Sequence, residues 1–269
     1  MQVTKMSALG NEILILDLLT KKGSISSKEV KKISLEGVPS FDQLITIEPP
    51  RDPNNHIRSS IYNRDGSQAE NCMNGSRCVA KYVTSMGLIS SESFIIETIG
   101  GNWKMQTLPD DIFSTEIPCP SFEPKDLPFL SGLLNKYSLE KGKNTLEIGI
   151  ASLGNPHIIS FMSDINSFPL GEWGESLKNN PKFPEGVNLG VSSILTKKEI
   201  DLRVFERGVG ETLGCGSGAC AAVAIGNNQG LLDPEVIVNF KTGSLKIEYK
   251  NKIYLKASGN AIFHDEYEV

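Results

Sequence analysis

Two short stretches of the chain place a cysteine where it could exchange a proton with a ligand. The first reads Glu70-Asn71-Cys72-Met73-Asn74-Gly75-Ser76-Arg77-Cys78, the second Leu213-Gly214-Cys215-Gly216-Ser217-Gly218-Ala219-Cys220. In each, the cysteine stands just before a helix pattern and is followed by glycine and small polar residues. The first N–H groups of a helix have no partner inside it, so such a corner can hold a carboxylate. The same positive end favours a thiolate and predicts thiol pKa values below the free value of about 8.5. A carboxylate bound between two such corners would have its alpha carbon between two sulfurs. One thiolate could take the alpha proton while the opposing thiol delivers another to the other face, inverting the centre. Because that proton is very weakly acidic, donors aimed at the developing enediolate and exclusion of water must lower the barrier.

Blander readings compete at each cysteine. Free cysteines are usually small core hydrophobes, which suits Cys78 and Cys220, one turn into apolar helices, and Cys119. It suits Cys72 and Cys215 poorly, since the glycines and asparagines beside them waste core volume but let a ligand approach the backbone. A disulfide or redox pair is the first rival, although neither cysteine belongs to a CxxC motif. A metal site is weaker, because His56, His157 and His264 lack metal-ligand spacing. The expectation is chemistry without metal or cofactor.

Two matching corners need two matching scaffolds, and the chain repeats itself once. Leu9-Gly10-Asn11 recurs as Leu153-Gly154-Asn155 at an offset of 144; Arg64 recurs as Arg207, Cys72 as Cys215, Gly75 as Gly218 and Gly87-Leu88 as Gly230-Leu231 at 143; Gly101 recurs as Gly243 at 142. Glycine turns recur by chance in many chains, but chance does not readily put the cysteine into an ordered series. Two copies are too few for a solenoid, so two similar lobes facing each other across an approximate twofold axis are expected. Pro118, Pro120, Pro124 and Pro128 mark the segment 111–128 as the connection, with a boundary near Ile117. The lobes would be residues 1–116 and 117–260.

Short apolar or alternating runs predict strands, among them 12–16, 43–47 and 93–97 in the first half and 158–161, 202–205, 236–238 and 244–247 in the second. Each half also has one buried helix pattern, 75–86 and 218–228, the latter apolar nearly all round. Gly87 and Gly230 stand where a left-handed cap would end them. A curved sheet enclosing a central helix satisfies both patterns, as would a helix on one open sheet. Shorter surface helices are expected at 27–36, with a serine cap, and at 171–179.

Composition narrows the class. With 39% hydrophobic and 22% charged residues, 269 residues can build an ordinary globular core. Twenty-seven Lys and Arg against 32 Asp and Glu give a net charge of -5, and no basic run interleaved with aromatics tracks phosphates, so nucleic acid is not an expected partner. Lys5, Asn11, Glu12 and Asp17 interrupt the apolar stretches near the start, which predicts neither a signal peptide nor a membrane span. Five cysteines are an odd number in a chain too large to need staples, so reduced thiols and a cytoplasmic setting are expected.

Further motifs carry a resemblance. Met6-Ser7-Ala8-Leu9-Gly10-Asn11, Gly37-Val38, Phe41-Asp42-Gln43, Asn63-Arg64-Asp65-Gly66-Ser67, Asn71 to Cys78, Gly154-Asn155-Pro156-His157, Val187-Asn188-Leu189-Gly190, Glu206-Arg207-Gly208-Val209-Gly210-Glu211-Thr212 and Cys215-Gly216-Ser217-Gly218-Ala219 occur in order. Along nearly its whole length the chain resembles diaminopimelate epimerases. The resemblance implies an α+β fold of two barrel-like lobes related by a pseudo-twofold axis, each mostly antiparallel around a central helix, with a last strand near 261–269 returning to the first. It also implies a homodimeric isomerase, independent of pyridoxal phosphate, that interconverts LL- and meso-diaminopimelate for lysine and peptidoglycan precursors.

By the same resemblance Cys72 acts as base on the LL isomer and Cys215 on the meso isomer, and backbone donors around Asn74-Gly75 and Gly216-Ser217 hold the reacting carboxylate. Asn63, Asn155, Asn188 and Arg207 clamp the distal carboxylate, Glu206 receives the ammonium, Asn11 and Gln43 line the pocket, and His157 acts near a reacting cysteine. A guanidinium with amides suits a fixed carboxylate. The chain departs from the family at Met73, where glycine is usual, at Gly214 and Ser76, where alanine is, and at Ser7-Ala8, where His-Gly is. Met73 would strain the backbone if that position needs positive φ. The alternatives are a proline or hydroxyproline racemase-like enzyme, which has no need of the distal clamp, and a non-catalytic, thiol-regulated binding protein of the same fold.

Overall fold

The structure, a computed structural model, describes residues 1–37, 39–123, 137–178, 180–250 and 254–269. Val38 of the Gly37-Val38 motif, Pro124 and Pro128 of the expected connection, and Asn179 at the end of an expected helix lie outside them. The chain divides into two compact units, Met1–Glu116 with Ser258–Val269, and Ile117–Ala257.

In the first unit β1 (Gln2–Ala8) and β2 (Asn11–Asp17) form a hairpin through a Leu9-Gly10 turn in which both residues have positive φ. Helix α1 (Ser27–Glu36) crosses to β3 (Gln43–Ile47), which pairs parallel to β2. Its N-cap is Ser26, whose hydroxyl accepts from Glu29 N–H while the Glu29 carboxylate accepts from Ser26 N–H; only Val30 and Ile33 are buried. Beyond β4 (Ile57–Arg58), β5 (Ile61–Asn63) and β6 (Gln68–Ala69) comes the long helix α2 (Met73–Ser85), then the antiparallel run β7 (Ser93–Thr98), β8 (Gly101–Leu108) and β9 (Ile112–Ile117). Strand β9 occupies much of the stretch read from sequence as the start of the connection. Its buried Phe113, Ser114 and Thr115 pack inward, so the proline-rich connection starts only at Pro118.

The second unit has the same order. After β10 (Tyr137–Lys141), β11 (Asn144–Ser152) and β12 (Pro156–Phe161) are antiparallel, α3 (Leu170–Leu177) crosses over, and β13 (Asn188–Thr196) lies parallel to β12. Strand β14 (Glu199–Glu206), a short β15 (Gly210–Thr212), helix α4 (Gly216–Asn228) and strands β16 (Glu235–Phe240), β17 (Gly243–Lys250) and β18 (Tyr254–Gly259) follow. Strand β14 runs unbroken where the first unit has β4 and β5. A final strand, β19 (Ile262–Glu268), pairs with β1 and closes the first unit's sheet order β19-β1-β2-β3-β5-β6.

Helix α2 touches β1, β2, β3 and β8, strands from two separate runs, and α4 touches β11, β12, β13 and β17. Each helix is therefore enclosed and does not lie on one open sheet. Enclosure is what holds α4: Gly216, Gly218 and Gly226 each cost about 1 kcal/mol against alanine, while Val223 and Ile225, fully buried, return about 1.5–3 kcal/mol each. Both helices end alike. Gly87 and Gly230, at φ +67° and +73°, donate to Thr84 O and Asn227 O at 3.1 and 3.0 Å, and Leu88 and Leu231 donate to Val83 O and Gly226 O at 2.9 and 2.8 Å. Both begin two residues earlier than their apolar period indicates, because the cysteines themselves are the caps.

Candidate active site

Cys72 and Cys215 are the N-cap residues of α2 and α4, with extended backbone, and each sulfur accepts the N–H of the third helical residue. Gly75 N lies 3.2 Å from Cys72 Sγ and Gly218 N lies 3.4 Å from Cys215 Sγ. The first bonds within the helices follow one residue later, from Ser76 N to Cys72 O and from Ala219 N to Cys215 O, both 2.9 Å. The amides of Met73 and Asn74, and of Gly216 and Ser217, come before that bond and stand at the positive helix end. The amide of Gly75, expected among the carboxylate donors, bonds to the Cys72 sulfur, as that of Gly218 does to Cys215.

Glycine at the third helical position has a steric cause. A Cβ on Gly75 would lie 2.3 Å from Ile45 Cδ1 and 3.0 Å from Cys72 Sγ, and one on Gly218 would lie 3.0 Å from Val204 Cγ2 and 3.3 Å from Cys215 Sγ. Met73 brings none of the strain considered above, since it is the first residue of α2, is buried, and is absent from the positive-φ residues. Ser76 fits by sharing a 2.7 Å hydrogen bond with Thr115, and Ser7 by meeting His264 Nε2 at 2.8 Å.

The two sulfurs have different neighbours. Cys72 Sγ donates to Asn11 Oδ1 at 3.7 Å, and Asn11 Nδ2 donates to Asp42 Oδ2 at 3.0 Å. Around Cys215 are the Ser217 hydroxyl at 3.4 Å and the Glu206 carboxylate, itself held by Thr212 Oγ1 at 2.6 Å. Burial, followed by the Glu206 charge, pushes the Cys215 thiol well above its ordinary range, against the smaller pull of Ser217 and Gly218. This reverses the lowered pKa expected from the helix end alone: Cys215 is 4% exposed, and desolvation of a thiolate outweighs the helix end. Burial likewise pushes Cys78 up to about 12, and Cys220 is fully buried, so both are core thiols. Cys119 is only half-buried, less enclosed than expected, and among the described residues no disulfide forms.

Strand register gathers the amides. Gln43 and Asn63 face each other across β3 and β5, and Gln43 Nε2 donates to Asn63 Oδ1 at 3.0 Å while Asn63 Nδ2 donates to Ser67 Oγ at 3.1 Å. The Asn74 side chain turns back on its own helix, accepting from Arg77 at 2.8 Å. In the second unit His157 and Asn188 are paired across the parallel strands β12 and β13. His157 Nε2 meets Asn155 Oδ1 at 3.1 Å and Asn188 Nδ2 at 3.5 Å; Asn188 Oδ1 accepts Arg207 N–H at 2.8 Å, and the Arg207 guanidinium donates to Glu185 O at 2.6 Å. Asn155, Asn188 and Arg207 thus form one cluster built around His157, which sits among the expected distal contacts and has no hydrogen bond to Cys215. Burial, with the Arg207 charge, lowers the His157 pKa to about 3. A neutral imidazole donating from Nε2 to Asn155 leaves Nδ1 as an acceptor, and Nδ1 is buried without a partner.

Sequence reasoning passed over Asp42, Arg77 and Thr212, which hold Asn11, Asn74 and Glu206. All three stood within quoted motifs without a role of their own, and Arg77 is fully buried. Among the described residues no group of three or more His, Cys, Asp or Glu is placed to hold a metal ion, and no helix is long and apolar enough to cross a membrane.

A family model described as diaminopimelate epimerase matches residues 3–115 and 149–261, one segment in each repeat. A Chromobacterium violaceum protein named diaminopimelate epimerase is 37% identical over 275 residues, which cover 100% of this chain and 99% of that protein. Among solved structures, a Bacillus anthracis phenazine biosynthesis protein of the PhzF family matches with a TM-score of 0.74 at 20% identity, covering 100% of this chain and 98% of that one. A hydroxyproline epimerase from Agrobacterium vitis, with bound trans-4-hydroxy-L-proline, matches with a TM-score of 0.70 at 14% identity, covering 99% and 91%. At such identities these two structures speak to the fold, and with the family match they bear out the α+β reading of two repeated lobes.

Proposed function

The chain belongs to the diaminopimelate epimerase family, and from that premise we propose that it interconverts LL- and meso-diaminopimelate by proton transfer through Cys72 and Cys215. The observation that carries the reading is the duplicated cap: a cysteine sulfur at the N-terminus of an enclosed helix, once in each repeat. Inverting a carbon needs a base on one face and an acid on the other, and a thiolate with a thiol opposite it supplies both. In our reading Cys72 is the base toward the LL isomer and Cys215 toward the meso isomer, with roles exchanged for reprotonation. Amides of the first helical turns, Asn74 on one side and Gly216 and Ser217 on the other, would receive the reacting carboxylate and the charge that develops on it. Glu206, beside Cys215, would take the ammonium of the reacting centre.

The cluster of Asn155, Asn188 and Arg207 supports a substrate with a second charged end; Asn63 and Gln43 join this reading by family resemblance. Arg207 is exposed and would supply the cation for the distal carboxylate. That clamp favours diaminopimelate over proline or hydroxyproline, which have no second carboxylate. A homodimeric assembly belongs to the proposal on family resemblance alone, and a cytoplasmic setting because the chemistry needs reduced thiols.

The test is incubation of the reduced protein with LL-diaminopimelate in deuterium oxide. Deuterium should enter one alpha carbon as the meso isomer appears, and proline should not exchange. Absence of exchange into diaminopimelate would remove the epimerase reading; exchange into proline would favour the racemase-like one.

A further inference from the structure

Asp42 lies outside the contacts assigned so far, yet it determines which atom the Cys72 sulfur faces. Its Oδ2 accepts from Asn11 Nδ2 at 3.0 Å and from Glu12 N–H at 2.8 Å. A carboxylate oxygen of this kind can only accept, so Asn11 must present its NH2 to Asp42 and its carbonyl oxygen to the other side. On that side Cys72 Sγ stands 3.7 Å from Asn11 Oδ1. An amide oxygen can accept from a thiol and repels a thiolate. We infer that Asp42 is a positioning residue that, by fixing the direction of the Asn11 amide, keeps Cys72 protonated in the ligand-free protein.

Backbone geometry makes the arrangement stiff. Strands β2 and β3 pair parallel with Ile13 opposite Gln43, and Asp42 N–H donates to Glu12 O at 2.8 Å, so Asp42 is tied to the start of β2 through both its main chain and its side chain. Other charged groups on the elements around α2 have partners of their own. Lys5 on β1 pairs with Glu12 on β2 at 2.7 Å, Lys104 on β8 with Glu116 at 2.9 Å, and Lys81 on α2 with Asp111 at 3.2 Å. Asp17 on β2 holds Thr20 and the Tyr82 hydroxyl, Arg77 on α2 holds Asn74, and β3 has no titratable side chain. Cys78 is protonated in the core. Between the helix-end donor, Gly75 N–H, and the Asn11 oxygen, the sulfur satisfies this pair of contacts as a thiol. The arrangement differs from that at Cys215, which faces a carboxylate and a hydroxyl, so the repeat has the same caps with different proton partners.

The inference rests on Cys72 being a proton carrier, but its test needs no substrate. The pH dependence of Cys72 alkylation by iodoacetamide is followed in the ligand-free protein by peptide-resolved mass spectrometry, for wild type, Asp42→Ala and Asp42→Asn. With alanine the Asn11 amide is free to turn its NH2 toward the sulfur. The midpoint should then fall by about one pH unit, a tenfold gain in thiolate at fixed pH. Asparagine removes the charge but keeps an oxygen facing Asn11 and Glu12 N–H, so its midpoint should stay at the wild-type value. Asp42→Leu, close in volume and unable to accept, replaces the alanine variant should that one fail to fold. An unchanged midpoint without the acceptor overturns the inference, and so does an equal shift in Asp42→Asn, which would mean charge alone is at work. Because alkylation reports on the thiol directly, its outcome is independent of whether deuterium enters diaminopimelate.

Discussion

His157 offers a measurement that links the pocket to stability. The imidazole is fully buried, and its pKa is lowered from 6.5 to about 3. As the pH falls below 6.5 the unfolded chain takes up a proton that the folded protein refuses until about pH 3, so stability is intact above 6.5 and is lost as the pH falls through that window. At about pH 4.5 the loss from this one group is two units of pH, or about 2.7 kcal/mol, a large share of the roughly 5–15 kcal/mol that holds a domain together. His157→Gln keeps an amide near the position of Nε2 but does not titrate. Urea unfolding of both proteins at about pH 7 and pH 4.5, with all carboxylates in common, isolates the difference. The variant is expected to be less stable at neutral pH through lost packing, and to lose about 2.7 kcal/mol less than wild type on acidification. In the same variant KM should rise with kcat little changed, because a flexible amide holds Asn155 less firmly than the rigid ring does. Parallel pH dependence of stability in the two proteins would refute the buried neutral imidazole, and a fall in kcat with KM unchanged would return His157 to the neighbourhood of a reacting thiol.

Replacing Cys215 separates the cap from the acid. Cys215→Ser should keep the cap through a hydroxyl accepting from Gly218 N–H, whereas Cys215→Ala should cost about 1 kcal/mol more in urea unfolding; both should lower epimerisation by at least about 10²–10⁴-fold, and a serine variant with near wild-type turnover would reject the proton-transfer role. Arg207→Ala leaves the main-chain bond to Asn188 intact and removes only the guanidinium, so kcat/KM should fall roughly 10- to 100-fold. Unchanged kcat/KM would reject the distal anchor.

What could be read from the residues was what depends on near neighbours along the chain. The serine cap of α1, the left-handed glycines after α2 and α4, and the two cysteine corners each rest on a spacing of a few residues, and each stands in the structure where that spacing puts it. The ordered repeat at offsets of 142 to 144 foretold two units with one topology. What escaped depends on register and burial. Asp42 meets Asn11 only because β2 and β3 are parallel with Ile13 opposite Gln43, and His157 meets Asn188, 31 residues away, only because β12 and β13 share a register. Strand β9 was taken for linker because prolines crowd its end, while the inward Phe113 and Thr115 decide its state. The burial of Arg77 against Asn74 runs against the usual exposure of arginine, so no local spacing signals it.

The raised Cys215 pKa changes what the helix ends are for. A helix N-terminus was expected to produce a standing thiolate, yet at Cys215 desolvation and Glu206 outweigh it. A weakly acidic alpha proton calls for a strong base, and a sulfur whose pKa is driven up is a stronger base once its proton has left. Holding a buried anion continuously would be costly, whereas holding a thiol is not. In our reading the helix ends then act chiefly on the substrate: the amides of Gly216 and Ser217 stabilise its carboxylate and the enediolate, while the amide of Gly218 keeps the sulfur aimed. In that reading one helix turn serves both partners in the transfer, on a helix packed against β11, β12, β13 and β17. The same scaffold made twice provides two such turns, and the different neighbours of Cys72 and Cys215 give each thiol its own surroundings.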